Sequence, residues 1–273
     1  MQRLLTLIVT GLVILPSLLS AAESHSDNGT VPTVLITGAN RGLGFEFAKQ
    51  YAADGWNVIA TARKPAAAED LQALAQQHQN ISVQQLDVRD LAMIDALAEK
   101  YADQPIDVLL NNAGISGSPS PEQSFRRLNY ELFNAFMETN AQGPLKMSEA
   151  FLKHVQASEQ KKIVVITSAG GLFSEASGSS KGTYFYRASK AALNMLMIQV
   201  AADVKRRGIA VVLLNPGLVD TQHMLTELNE KMNLGLTLIP IEDSIAGMRK
   251  LITEKGLEES GLVYEWNGEL LDY

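Results

Sequence analysis

From residue 33 to its end the sequence predicts a doubly wound α/β domain, a parallel sheet of about seven strands with helices on both faces. Three observations carry that prediction. Short β-branched apolar runs alternate with longer stretches of helical spacing. The runs are almost continuously apolar, as strands covered on both faces must be. The first of them passes through a glycine-rich turn directly into a helical stretch.

The elements follow in order. The strand Thr33–Thr37 precedes the helix Phe45–Ala53, and the strand Asn57–Thr61 precedes the helix Ala66–Gln77. The strand Ser82–Leu86 leads to Asp90, which is placed to cap a helix over Leu91–Tyr101. The strand Val108–Asn111 is followed by a long helical stretch, Leu132–Gln156. The strand Ile163–Thr167 leads to a helix over Ala188–Arg206, with Tyr186 and Lys190 at its start and Gly208 as its C-terminal signal. The strand Ala210–Asn215, the helix Ser244–Glu254 and the strand Leu262–Glu265 complete the alternation. Residues 33–273 thus read as a single domain.

The first residues read differently. Arg3, an apolar run from Leu4 to Leu19 and the small residues Ser20-Ala21-Ala22 have the layout of a secretory signal. The run is shorter than the roughly 20 residues a membrane span needs. The expectation is export after cleavage near Ala22; uncleaved, residues 1–22 would be a membrane anchor with the domain cytoplasmic. The polar segment 23–32 reads as a linker.

Composition excludes several classes. A net charge of -7 argues against a nucleic-acid partner, which would call for a basic face. With no cysteine there are no disulfides and no thiolate chemistry. The 4 histidines show no metal-ligand spacing, so no metal is expected.

The turn after the first strand is Thr37-Gly38-Ala39-Asn40-Arg41-Gly42-Leu43-Gly44. In doubly wound, Rossmann-type folds a ligand's pyrophosphate sits here, on the free N–H groups of the first helix. The spacing is Gly-x-x-x-Gly-x-Gly rather than the more familiar G-x-G-x-x-G. The second strand ends Ala62-Arg63-Lys64, with no carboxylate before Glu69. An acid at that place would hold a ribose 2′-hydroxyl, whereas a guanidinium suits a 2′-phosphate. Arg63, with Arg41 inside the turn, therefore points to NADP(H) in preference to NAD(H).

Tyr186 and Lys190 lie four apart at the start of a helix and project from one face. A phenol of ordinary pKa about 10 is a weak acid–base group near neutrality. A neighbouring ammonium is expected to favour the phenolate and lower that value. Only Tyr186 has a lysine four residues on; Tyr184 does not.

Taken with Asn111-Asn112-Ala113-Gly114 after the fourth strand and Pro216-Gly217 after the sixth, these motifs resemble the short-chain dehydrogenase/reductase family over essentially all of residues 33–273. The resemblance implies an oxidoreductase that interconverts a carbonyl and an alcohol on a small-molecule substrate. It implies Tyr186 as the acid/base, Lys190 as its tuner and ribose ligand, and Ser168 as the group that orients the substrate carbonyl. Asn140 would hold a water that relays protons to the lysine. Asp87-Val88 would meet the adenine, Asn112, Ala113 and Gly114 the ribose, and Pro216, Gly217, Val219 and Thr221 the nicotinamide. Gly38, Asn40, Arg41, Gly42, Leu43 and Gly44 would cradle the phosphates. Two loops are expected to shape the substrate pocket, one holding Phe173, Ser179 and Ser180, the other His223, Met224 and Leu238. The end of the chain, Tyr264 to Tyr273, resembles small carbonyl-reductase-like members related to a developmental C-factor. The alternative is a non-catalytic NADP(H)-binding signalling or scaffold protein, against which the intact Asn140, Ser168, Tyr186 and Lys190 argue. Homo-oligomerisation stays open.

Overall fold

The computed structural model describes residues 30–115, 120–176, 182–221, 226–227, 229 and 235–273. The expected leader, most of the linker, and Ser179, Ser180, His223 and Met224 lie outside the described residues. Val31–Tyr273 forms one compact unit.

The elements are β1 (Thr33–Ile36), α1 (Gly42–Ala53), β2 (Asn57–Ala62), α2 (Glu69–Gln77), β3 (Ile81–Gln85), α3 (Leu91–Lys100), β4 (Val108–Asn111), α4 (Glu131–Met137), α5 (Gly143–Ala150), α6 (Leu152–Ala157), β5 (Lys162–Ile166), α7 (Tyr184–Val204), β6 (Ala210–Asn215), α8 (Ile241–Glu254), β7 (Val263–Glu265) and β8 (Leu270–Leu271). The sheet runs in the order β3-β2-β1-β4-β5-β6-β7-β8. All pairings are parallel except β7 with β8. The eighth strand was not expected. It is two residues long and returns from β7 through a turn closed by Gly268, too short to show a period of its own.

Both faces of the inner strands are covered, which is why β1, β2, β4, β5 and β6 are buried almost throughout. On one face Val34, Ile36, Ala60, Leu110, Val164 and Leu214 pack against Phe47, Leu71, Ile245 and Met248 of α1, α2 and α8. On the other Leu35, Ile59, Leu109, Ile163 and Leu213 pack against Ile94, Met147, Leu193 and Met197 of α3, α5 and α7.

Helices α1, α2 and α8 begin three residues away from their expected starts, and two helices differ more. The stretch Leu132–Gln156 is not continuous: a π-helical turn, Glu138–Gln142, separates α4 from α5. Pro144 follows at the start of α5 and has no N–H for the carbonyl four residues back, that of Asn140, so α-helical bonding fails there. The other helix, α7, begins at Tyr184, four residues earlier than Ala188. Its extra turn is held by aromatic packing: the Phe185 ring lies 5.5 Å from Phe133, 6.0 Å from Tyr130 and 6.4 Å from Phe136. Gly208 (φ 74°) ends the segment as expected.

Candidate active site

The strand order reverses between β1 and β4, and the loops leaving their carboxyl ends open the crevice where ligands of such sheets bind. Thr37 ties the two loops together. Its Oγ1 accepts from the Asn112 and Ala113 N–H groups, both at 3.0 Å. The Asn112 amide donates back to the carbonyls of Thr37 (2.9 Å) and Gly38 (3.1 Å). Asn112 therefore shapes the glycine turn with its side chain, beside any part its backbone plays toward a ribose.

The turn demands glycine at two places. Gly38 sits at φ 69° with Ala113 Cα 3.0 Å from where a Cβ would be. At Gly44 a Cβ would lie 2.3 Å from the Gly38 carbonyl oxygen and 2.4 Å from Asn112 Nδ2. This packing leaves the first turn of α1 free of a side chain of its own beyond Leu43. The N-cap residue Arg41 makes no side-chain capping bond, and the first turn carries no acid. A helix start left open in this way is a site for an anion, and the glycine cradle fits a dinucleotide pyrophosphate.

At the β2–β3 side, Arg41, Arg63 and Lys64 are all exposed. The two acids after β3 separate cleanly in role. Asp90 caps α3, accepting from Met93 N–H at 3.0 Å. Asp87 is forked by Arg89, through the Arg89 backbone N–H (3.0 Å), Nε (3.3 Å) and Nη2 (3.1 Å). That guanidinium, aided by the charge of Arg63, holds the Asp87 carboxyl below its usual range. Arg89 was not singled out from sequence; the pattern Asp87-Val88-Arg89-Asp90 was the available signal. Val88 is buried against Gly143, whose missing Cβ would meet it at 3.0 Å.

The four expected catalytic residues converge. Ser168 follows β5, and its Oγ accepts from Gly170 N–H at 3.1 Å. Its rival Thr167 points the other way, buried and bonded to Asn194 at 2.5 Å. The Tyr186 hydroxyl shares a hydrogen bond with Ser168, which favours ionisation, but burial outweighs it and pushes the phenol up. Lys190 is buried, donates from Nζ to the Ile166 carbonyl at 2.8 Å, and lies 5.9 Å from the centre of the Tyr186 ring. Desolvation brings its ammonium down to about 8. The expected lowering of the phenol by the lysine is therefore not what this state of the site shows. Both groups sit in the same dry crevice, and burial disfavours the charged form of each.

Asn140 lies in the π-helical turn with its side chain committed to protein. Oδ1 accepts from Ile115 N–H at 2.7 Å, and Nδ2 donates to the Ile115 carbonyl (3.2 Å) and to Ser189 Oγ (2.9 Å). Ser189 in turn donates to the Tyr186 carbonyl at 2.7 Å. Asn140 thus braces both the loop after β4 and the helix of the tyrosine. Gly114 faces Asn140 Oδ1 and Lys190 Nζ, 3.3 Å and 3.9 Å from where its Cβ would be.

On the nicotinamide side, Ser244 Oγ donates to the Pro216 carbonyl at 2.7 Å, fixing the Pro216-Gly217 turn. Val219 bridges to Ile239. Thr221 comes against the glycine turn, its Cβ 3.1 Å from where a Gly42 side chain would begin. Of the substrate-loop residues, Phe173 is exposed and Leu238 half-buried.

A family model described as short chain dehydrogenase matches residues 32–233. The chain belongs to that family. A short-chain dehydrogenase/reductase of Arthrinium, atnB, is 32% identical over 258 residues, covering 86% of this chain and 97% of the relative. The C-signal of Myxococcus xanthus is 32% identical over 173 residues, 63% of this chain and 96% of the relative. Among solved structures, NADPH-bound carbonyl reductase from chicken fatty liver superposes with a TM-score of 0.77 at 30% identity, covering 90% of this chain and all (100%) of that one. The carbonyl reductase Sniffer of Drosophila melanogaster gives 0.76 at 26% identity, over 89% and 100%. This short-chain dehydrogenase is accordingly an oxidoreductase of a nicotinamide-dependent family, with carbonyl-reductase-like relatives.

Proposed function

We propose that this short-chain dehydrogenase interconverts a carbonyl and an alcohol on a small molecule with NADP(H), Tyr186 serving as the acid/base. The observation that carries the reading is the convergence of Tyr186, Ser168 and Lys190 at the carboxyl ends of β4 and β5. When bound, the nicotinamide would supply or accept the hydride. Ser168, hydrogen-bonded to the phenol, is placed to hold a substrate oxygen against Tyr186, which then donates its proton to the developing alkoxide. A phenol kept neutral by burial is in the protonation state that reduction requires. Lys190, its ammonium lowered by burial to about 8, supports the phenolate left behind. The Asn140 carbonyl, deprived of an α-helical donor by Pro144, offers an acceptor for the water of a proton relay.

For the cofactor, we assign the exposed Arg41 and Arg63 to a 2′-phosphate, since β2 runs into Arg63-Lys64 with no carboxylate before Glu69. The NADPH-bound chicken enzyme and an NADP-bound short-chain dehydrogenase from Burkholderia multivorans (27% identical, TM-score 0.74) support the same choice. The intact quartet favours the enzyme over a non-catalytic binding protein.

NADPH oxidation over a panel of small aldehydes, ketones and quinones tests the reading. Tyr186→Phe is expected to lose turnover by roughly 10³-fold or more while still binding NADPH. Equal activity in that variant would sink the mechanism. For residues 1–22 we propose export or anchoring, which N-terminal sequencing of the mature protein decides.

A further inference from the structure

The connection between β4 and α4 holds a feature that the family motifs do not cover. Ser120 opens a short 3₁₀ turn, Pro121–Gln123, accepting from Glu122 N–H at 3.2 Å. The turn is bound to the segment entering α7 at two points. Ser120 N–H donates to the Gly182 carbonyl at 2.9 Å, and the approach is so close that a Cβ on Gly182 (φ 73°) would lie 2.7 Å from the Ser120 carbonyl oxygen. Three residues on, the Gln123 side chain, only 3% exposed, crosses to α7, where its Oε1 accepts the backbone N–H of Tyr186 at 3.1 Å.

That N–H belongs to the first turn of α7, where donors have no partner within the helix. Its acceptor comes from a residue 63 positions earlier in the chain. The same connection begins at Ile115, clamped by Asn140 through both its N–H and its carbonyl. One loop is therefore tied to Asn140 at its start and to Tyr186 further along.

We propose that Gln123 is a positioning residue for Tyr186. By capping the amide of the acid/base it holds the first turn of α7 closed and sets the phenol against Ser168. This inference rests on the catalytic role given to Tyr186 above. Gln123 touches none of the reacting atoms, so its effect should fall on the chemical step and spare cofactor binding.

The test compares Gln123→Met, which keeps the length and removes the acceptor, with Gln123→Glu, which keeps an acceptor on the same atom. Gln123→Met should lower kcat roughly 10- to 100-fold, the size expected when a reacting group is misplaced by a fraction of an ångström to an ångström, with the Kd for NADPH unchanged. Gln123→Glu should recover most of that loss. Amide hydrogen exchange, followed on a peptide containing Tyr186, gives a readout independent of activity. Exchange should quicken about fivefold in Gln123→Met, as for a lost helix cap, and stay near wild type in Gln123→Glu. The proposal is overturned if Gln123→Met matches wild type in kcat and exchange, or if both variants lose kcat and NADPH binding together. If wild type reduces no carbonyl, or Tyr186→Phe stays active, the function proposed above falls. The exchange result would still decide whether Gln123 caps the helix.

Discussion

Two helices begin at this crevice, and their N-termini are treated in opposite ways. The start of α1 is left open: Arg41 supplies no capping bond, no acid stands in the first turn, and Gly38 and Gly44 keep side chains clear of it. At the start of α7 one such donor, the Tyr186 N–H, is taken up by Gln123 from another part of the chain. The orphan donors are chemically the same in both helices. On the reading proposed above, the protein withholds an acceptor where a cofactor would supply one, and supplies one where the phenol is to be held in place. Asp90 at the start of α3 is the ordinary case between them, a local cap made by the neighbouring residue.

That contrast can be broken most severely at Gly44. A methyl group there would overlap the Gly38 carbonyl and the Asn112 amide, so the turn itself must move. Gly44→Ala is expected to weaken NADPH binding roughly 1000-fold, about 4 kcal/mol, in a fluorescence titration. Affinity near wild type would show that the open turn is not the phosphate site.

The next effect belongs to the closed side and depends on pH. Burial lowers the Lys190 ammonium from 10.5 to about 8 in the folded protein, so the unfolded chain binds the proton more tightly. The penalty is fully present below about 8 and is relieved as pH rises from 8 toward 10.5, where wild type gains stability. Lys190→Met carries no such penalty. Its stability relative to wild type should therefore fall by up to about 3 kcal/mol between pH 7 and 10.5, measured by urea denaturation without cofactor. A difference that stays constant with pH would contradict the burial of a titrating ammonium.

Arg41→Asp would give α1 the cap it lacks. Compared with Arg41→Ala, which removes the same guanidinium, it should raise stability by about 1 kcal/mol. It should also lower NADPH affinity a further tenfold or so, about 1.4 kcal/mol, because the carboxylate competes for the amides. Gains in both stability and affinity would break the comparison. The smallest effect is the reference: Asp90→Ala should cost about 1 kcal/mol of stability and leave NADPH affinity untouched. Asp87→Ala, three residues earlier, should instead lower NADPH affinity in the same fluorescence titration.

Much of this arrangement was legible in the sequence because it is local. The strands, the glycine turn, the four-residue spacing of Tyr186 and Lys190, and the capping of α3 by Asp90 depend on residues a few positions apart. The same holds for Ser168 against Thr167, where strand alternation sends the threonine to Asn194 and the serine to Tyr186. Three things were not legible. Pro144 accounts for a break near Glu138–Gln142, but the close seat of Gly143 on Val88 is made by packing from another part of the chain. The Asn112 side chain folds back on the turn carbonyls, a contact made across β1 and β4. The titration of Tyr186 and Lys190 follows from burial, which no spacing reports.

Residue identity alone determined that an α/β sheet would form, where its glycine turn would fall, and that a tyrosine and a lysine would share one helical face. These are consequences of backbone sterics and of a period that repeats every few residues. Tertiary structure alone decided which helix start would be open and which closed. An N–H donor has the same chemistry at every helix start, and what meets it is set by chain that arrives from many residues away.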